Sequence, residues 1–337
     1  MINLSRKFWL AALLIIVAVS FILSLFLLRK SEKLYILSFG EQFRYGKQKI
    51  KERVWVDVDI KNLFNLTSNF PFFLFNPMKV LVDKKGNIYV FDYGDMKIKK
   101  FSGDGKFIRE IGKGKGKGPG EFVNPTDFLV DDEYKVWVCD AVSGIITVFD
   151  SVGNVVKTFR PRSNPLRLAL GNKEIVIQVN YGVKHLFEVY DDAGNFKFSF
   201  GEKIIPEQSK FPLLMGGEID INEGFLFCGF WYIGYIYCFD LKDRRLKFII
   251  KNIDDLPIPE IEVLQIGEVQ VRKIKPGTPI QVNSINVERG NIFIEAGISG
   301  DETTVIDVYS SVDGRYLYSF KIPGKFRRGY FDGRYYY

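Results

Sequence analysis

Apolar residues in this chain come in short runs, each stopped by a cluster of Gly, Asp, Asn or Pro, and the runs recur in sets of four. The clearest set follows Asn76-Pro77: NPMKVLVDKKGNIYVFDYGDMKIKKFSGDGKFIREI. The same plan returns after Asn124-Pro125 and again after Asn164-Pro165. Each set opens a strand at its proline, where no ladder donor is needed. A second strand follows a polar turn and reads GNIYVFD from Gly86, KVWVCD from Lys135 and EIVIQVN from Glu174. The third and fourth strands are predicted as hairpins: 98–101 with 107–111 around SGDG, 145–149 with 155–159 around DSVG, and 186–190 with 196–200 around DDAG. Each of those turns places Gly where a positive φ is needed. Two looser copies start at Gly224 and Gly290, and the stretch 251–279 between them reads as an insertion in an inter-repeat loop. Residues 329–337, GYFDGRYYY, repeat the strand-turn-strand of 80–90.

Five full copies and a partial one predict radial repetition: an all-β, six-bladed β-propeller of four-stranded antiparallel blades. A closing blade composed from both termini would hide the edges that a linear array exposes. Its inner strands would come from 329–337. Its outer strand would come from 34–41, LYILSFGE, whose end matches Phe198-Ser199-Phe200-Gly201-Glu202 at the outer strand of the third copy. Residues 54–60, VWVDVDI, alternate with period 2 and read as a strand that could fill the remaining place; a short blade, or a sequence cut at Tyr337, would explain the gap equally well. Residues 70–75, FPFFLF, are expected to be buried, because six such side chains in the open would be a sticky patch.

One run does not fit the strand pattern. Residues 8–28, FWLAALLIIVAVSFILSLFLL, hold no charge, Pro or Gly, and as a helix they would span roughly 31 Å, the thickness of a hydrocarbon core. The core is too long for a cleaved signal, no Cys comes after it for lipid attachment, and 1–33 is read as an uncleaved anchor ahead of a propeller at 34–337. Basic residues are denser after the run (Arg29, Lys30, Lys33) than before it, which favours the inside for the C-terminal part, but large domains cross with little regard to flanking charge.

Composition changes this picture little. The 337 residues carry a formal net charge of +7, spread along the chain, which marks a well-charged exterior more than a nucleic-acid surface. The three cysteines lack metal-site spacing; Cys228 and Cys238 could meet across a hairpin, and otherwise all three read as small buried apolar residues.

Candidate chemistry is sparse. Lys113, Lys115 and Lys117 in GKGKGKGPG could hold a polyanion, but the run is not GxxxxGK[ST] and reads as a connector between blades. Asp92, Asp140 and Asn180 end equivalent second strands, and Asp83 and Asp131 recur likewise, so all are read as turn residues accepting backbone N–H bonds. Phe230, Trp231, Tyr232 and Tyr235 crowd one turn and form a candidate contact patch for a partner or a sugar. The best ligand candidates are Lys79, Asp127 and Arg167, which fold geometry places at the mouth of the innermost strands of the first three copies, around a channel.

Across 77–122 the pattern P-x-x-V-x-V-D, GNIYV-x-D, an aromatic before a D/S-x-x-G turn, F-x-x-x-x-G and GxGxGPGEF resembles the NHL repeat, and 34–337 as a whole resembles six-bladed propellers of bacterial exported NHL-type proteins. That resemblance points outside the cytoplasm but does not fix a function; the anchor and the lack of a catalytic constellation favour a membrane-anchored binding module. Its partner would be a protein or carbohydrate at the channel mouth or one face, with no cofactor and no catalysis of its own. It also leaves two alternatives. Some propellers of this kind are lyases, and a calcium-assisted lyase or hydrolase in the channel would use carboxylate and amide oxygens. A zinc-dependent amidating lyase is excluded by the single histidine, His185, since such sites need three protein ligands. A propeller facing the cytoplasm would instead suit RNA.

Overall fold

The computed structural model describes residues 52–66, 73–171, 174–179, 184–203, 211–254, 256–297, 302–324, 328–331 and 335–337. The expected anchor at 8–28, the strand at 34–41 and Asn180 lie outside them. Among the described residues no helix is long and apolar enough to cross a membrane.

Among the described residues five four-stranded antiparallel sheets form, each with its strands in chain order, and together they make a β-propeller. Blade 1 is β1 (Pro77–Val82), β2 (Ile88–Asp92), β3 (Lys97–Phe101) and β4 (Phe107–Ile111). Blade 2 is β5 (Pro125–Val130), β6 (Val136–Asp140), β7 (Ile145–Phe149) and β8 (Val155–Phe159). Blade 3 is β9 (Pro165–Gly171), β10 (Glu174–Val179), β11 (His185–Asp191) and β12 (Phe196–Glu202). Blade 4 is β13 (Gly217–Asn222), β14 (Phe225–Phe230), β15 (Tyr235–Asp240) and β16 (Arg245–Lys251). The insertion carries a hairpin, β17 (Ile261–Ile266) with β18 (Val269–Ile274), in a compact unit of its own at 258–278. Blade 5 is β19 (Val282–Glu288), β20 (Asn291–Ala296), β21 (Thr303–Ser310) and β22 (Tyr316–Pro323).

The turn chemistry expected from sequence is realised. Gly153 and Gly194 close the outer hairpins at φ +96° and +83°, a region where an L side chain would be strained. Asp92 accepts the N–H groups of Phe75 (2.7 Å), Asn76 (2.7 Å) and Gly94 (3.0 Å), and Asp140 accepts those of Val123, Asn124, Val142 and Ser143. These aspartates staple the loop before a blade's first strand to the end of its second. Asp83 and Asp131 fold the β1–β2 and β5–β6 turns, and each also takes a bond from an aromatic side chain: Tyr89 Oη at 3.1 Å and Trp137 Nε1 at 2.8 Å. The lysine-glycine run is a connector between β4 and β5. Its backbone closes on itself through Lys113 N to Gly120 O and Phe122 N to Gly114 O, and its three lysines are exposed.

Successive blades clasp one another in one direction. From the second strand of a blade, Cys139 Sγ meets Leu166 O (3.5 Å), Gln178 Nε2 donates to Met215 O (2.9 Å) and Glu295 Oε2 accepts Gly329 N (3.0 Å). Gly229 holds the equivalent place in blade 4, where an added Cβ would lie 2.7 Å from Val282 of blade 5. The clasp from Glu295 reaches a short ladder at the C-terminus, with Phe331 bridging Tyr336 and Tyr330 exchanging backbone bonds with Tyr337. Phe331 and Tyr336 pack on Phe293 and Ile306 of blade 5, and Tyr337 packs with Val80, Val82 and Ile88 of blade 1. The C-terminal fragment therefore lies between the fifth blade and the first.

Two expectations fail, and of the two readings of the cysteines the buried, unpaired one holds. Residues 54–60 form no ladder: Trp55 makes a lone parallel bridge to Ser319 on β22, and Val54, Val56, Val58 and Ile60 stay exposed. Their alternation records an extended segment along a blade edge, held at Arg53, whose guanidinium meets Asp307 (2.8 and 2.9 Å) and Asp254 (2.7 Å). Of 70–75, residues 70–72 lie outside the described residues; Phe73 and Phe75 are 43% and 67% exposed rather than buried, while Leu74 packs against the cluster of Ile88, Val90 and Phe101. Asp92 fixes the backbone N–H of Phe75 inward and so turns its ring out, over the Lys99 ammonium at 4.9 Å. Cys228 and Cys238 do not pair: their cross-strand partners are Tyr237 and Phe227, so the two thiols sit on opposite faces of blade 4, and all three cysteines are free and buried.

Candidate functional site

The innermost strands β1, β5, β9 and β19 share an irregularity. Pro77 pairs with Asp92 and Lys79 with Phe91, leaving Met78 as one extra residue; Thr126, Leu166 and Asn283 are extra in the same way. Such bulges re-aim the next side chain along the strand. Those next residues are Lys79, Asp127, Arg167 and Ser284. Glu218 occupies the same row in blade 4 without a bulge, paired with Gly229, and Arg328 precedes the Gly329 that Glu295 clasps.

The three residues chosen from sequence do meet, but two of them are closed in. Asp127 and Arg167 are 4% and 2% exposed. Asp127 pairs with Lys79 Nζ through one carboxylate oxygen and accepts Leu168 N at 2.8 Å through the other. Arg167 grips Glu218 with two bonds of 3.0 Å and donates to Thr126 O (2.9 Å) and Leu166 O (2.7 Å). Burial opposes the charge on Arg167, but Glu218 and Asp127 outweigh it and raise its pKa. Burial likewise opposes ionisation of Glu218, and the two arginines overcome it, so its carboxyl stays below the usual range. These groups brace one blade to the next.

Arg328 is placed differently. Its Nε lies 3.4 Å from Glu218 Oε1, a carboxylate already gripped by Arg167 and bonded by Trp231 Nε1 at 3.1 Å. Burial lowers its pKa, and repulsion from Arg167 adds to that against the pull of Glu218. Trp231 lies against both arginines, 4.8 Å from Arg167 and 5.3 Å from Arg328, and Phe230 is fully buried. Of the expected aromatic patch, Phe230 is core and Trp231 packs on the two arginines, while Tyr232 and Tyr235 remain partly exposed.

One layer along the same strands, two residues on from the ring, stand Leu81, Leu129, Ala169, Asp220, Asn286 and Tyr330. This layer is apolar over blades 1 to 3 and polar beyond them. Asp220 accepts Val287 N (2.7 Å) and Ile221 N (2.8 Å). Burial pushes its carboxyl up to about 6 against those bonds and the charge of Lys79. Asn286 Oδ1 accepts Phe331 N at 3.1 Å. The two layers line a cavity of ≈ 190 Å³ into which Lys79, Glu218, Asp220, Ser284, Asn286 and Arg328 contribute polar groups. At its wall Glu295 takes bonds from Gly329 N, Tyr336 Oη (3.0 Å each) and Ser284 Oγ (3.2 Å), and burial raises its pKa.

Glu218, Ser284 and Asp220 were missed in the sequence because blades 4 and 5 lack the Asn-Pro signature, and Arg328 because it immediately precedes the partial copy read at 329–337. Counting back from the second strands GFLFCGF and GNIFIEA would have found the first two. Among the described residues no cluster of three or more His, Cys, Asp or Glu is arranged to hold a metal ion.

Residues 71–161 match the profile of a family described as a 6-bladed beta-propeller. Among solved structures, a putative exported protein from Bacteroides fragilis is 13% identical with a TM-score of 0.50, covering 76% of this chain and 73% of its own. A catalytically inactive virginiamycin B lyase from Staphylococcus aureus, solved with quinupristin, is 13% identical with a TM-score of 0.51, covering 77% and 75%. No curated protein matches the chain. At these identities the likeness is one of fold: a β-propeller.

Proposed function

We propose that the protein is an NHL-type binding module, held to a membrane by 8–28 with its propeller outside the cytoplasm, and that its ligand-receiving surface is the channel cavity. A protein or carbohydrate partner would present a small polar group there. The cavity itself carries this reading: it leaves space beside charged groups that are only partly neutralised. The C-terminal ladder is the inner part of a sixth blade. A binding role fits the ring because its strongest charges are spent on one another, whereas acid–base catalysis needs a group free to exchange protons with substrate.

The test uses the full chain in detergent as bait, beside Ala169→Phe, which fills the cavity from the apolar side. Loss of captured partners by the plugged variant, with its melting transition kept, is the expected result; identical capture by both would remove the channel from the function. A reporter active only outside the cytoplasm, fused after Tyr337, should be active, and silence would reverse the topology.

A further inference from the structure

Two groups of opposite sign face the cavity with their charges incompletely answered, and they sit in different layers. Arg328 belongs to the ring layer and Asp220 to the next, a rise of about 6.6 Å at 3.3 Å per residue. Resting on the channel reading above, we propose that the cavity takes a small amino-carboxylate, with its carboxylate on Arg328 and its ammonium on Asp220.

Each end is set by its surroundings. Glu218 has given its two best bonds to Arg167, so among the described residues Arg328 has one ion pair, at 3.4 Å, and the face of Trp231, while 26% of its side chain is open. A planar guanidinium in that state favours a carboxylate, which it can meet through two parallel N–H bonds. A dianion such as phosphate would add a second negative charge beside Glu218, Asp127 and Asp220, so a monoanionic group is preferred. At the other layer, Asp220 receives two backbone N–H groups and no side-chain cation among the described residues. Its burial penalises the charge, and an ammonium ion arriving in the cavity relieves that penalty. Asn286 and Tyr330 stand in the same layer as further polar groups, while Leu81, Leu129 and Ala169 offer an apolar wall to methylenes between the two ends. The volume suits this size: at ≈ 190 Å³ the cavity exceeds the roughly 150 Å³ of an engineered cavity that takes a benzene, the scale of a short aliphatic amino acid.

Neither end alone suffices. An anion without an amine leaves Asp220 desolvated and uncompensated, and an amine without a carboxylate adds positive charge beside Lys79, Arg167 and Arg328. The methylenes between amine and carboxylate span the step from one layer to the next, and probes with one, two and three methylenes measure that step.

The experiment is calorimetric titration of the full chain in detergent at pH 7.5 with glycine, β-alanine, 4-aminobutyrate, butyrate and n-butylamine. The expected result is that 4-aminobutyrate binds at least about tenfold more tightly than butyrate, n-butylamine or glycine. Arg328→Met and Asp220→Asn should each weaken it by about tenfold or more. Equal binding of butyrate and 4-aminobutyrate would overturn the ammonium end, and equal binding of n-butylamine the carboxylate end. Heats that vanish for every probe, or that survive both substitutions, would overturn the proposal outright. Ala169→Phe separates this failure from the wider one. If plugging abolishes partner capture while no probe binds, the channel receives a ligand of another class; if plugging changes nothing, the channel reading itself has failed.

Discussion

Arg167 and Arg328 approach the same carboxylate, yet the fold treats them in opposite ways, and their removal should show it. Arg167→Met takes away both bonds to Glu218 and the donors to Thr126 O and Leu166 O. It leaves Glu218, at 7% exposure, with Trp231 Nε1 and one longer contact to Arg328. Removing one partner of a buried pair costs about 3–5 kcal/mol, because the other charge is left behind in a poor solvent. At about 2 °C per kcal/mol for a large domain, that is a loss of roughly 6–10 °C in melting temperature. Arg328→Met should differ in kind. The folded protein disfavours its charge, since burial and Arg167 outweigh Glu218, so removing it sheds a penalty as well as a weak contact. The expected change is within about 1 kcal/mol of zero. Urea denaturation of both variants as full chains in one detergent gives the comparison, read as midpoint shifts at constant slope. Equal destabilisation by the two substitutions, or a larger loss from Arg328→Met, would refute the division into a brace and a ligand group.

Other buried groups give three more expected outcomes. Lys99, 2% exposed, bonds Asp92 and the carbonyl of Phe73 and pairs with Asp95, so Lys99→Met should cost about 3 kcal/mol or more in urea denaturation; a loss below about 1 kcal/mol would mean that the N–H groups on Asp92 suffice. The folded pKa of Asp220, about 6, lies above its unfolded value near 3.8, so the folded state binds the extra proton and its penalty is absent below pH 4 and grows as pH rises through 6. Asp220→Asn should therefore gain about 1–3 kcal/mol relative to the parent at pH 7.5 that fades by pH 4.5, and an unchanged pH slope would contradict this. The thiols of Cys139 and Cys238 are pushed up to about 12 by burial, so 5,5′-dithiobis(2-nitrobenzoate) should react with no cysteine in the native chain and with three after denaturation; fast native labelling would show an open blade.

The blades were legible because their punctuation is local. Asn-Pro, the aspartate at the end of the second strand and the glycine of the outer hairpin each act within a few residues, and those residues sit in every clear copy. What sequence could not show is how charges from different blades divide among themselves. Lys79, Asp127 and Arg167 fall at equivalent positions and look alike in a repeat alignment. Which of them stays open depends on Glu218, which arrives 51 residues after Arg167 on a blade without the Asn-Pro mark. Once Glu218 takes Arg167, the remaining cation of the row comes from Arg328, at the far end of the chain. The same non-local logic misled the reading of 54–60 and 70–75. Alternation and aromatic content describe a segment's own preference, but Phe75 is turned outward by Asp92, and 54–60 meets the edge of β22 only near its start, at Tyr316, Ser319 and Lys321, among the described residues. A radial repeat thus writes its blades in local code and its channel in pairings between blades. The channel is where two copies can differ by one charge without disturbing the fold, and so it is where specificity can be set.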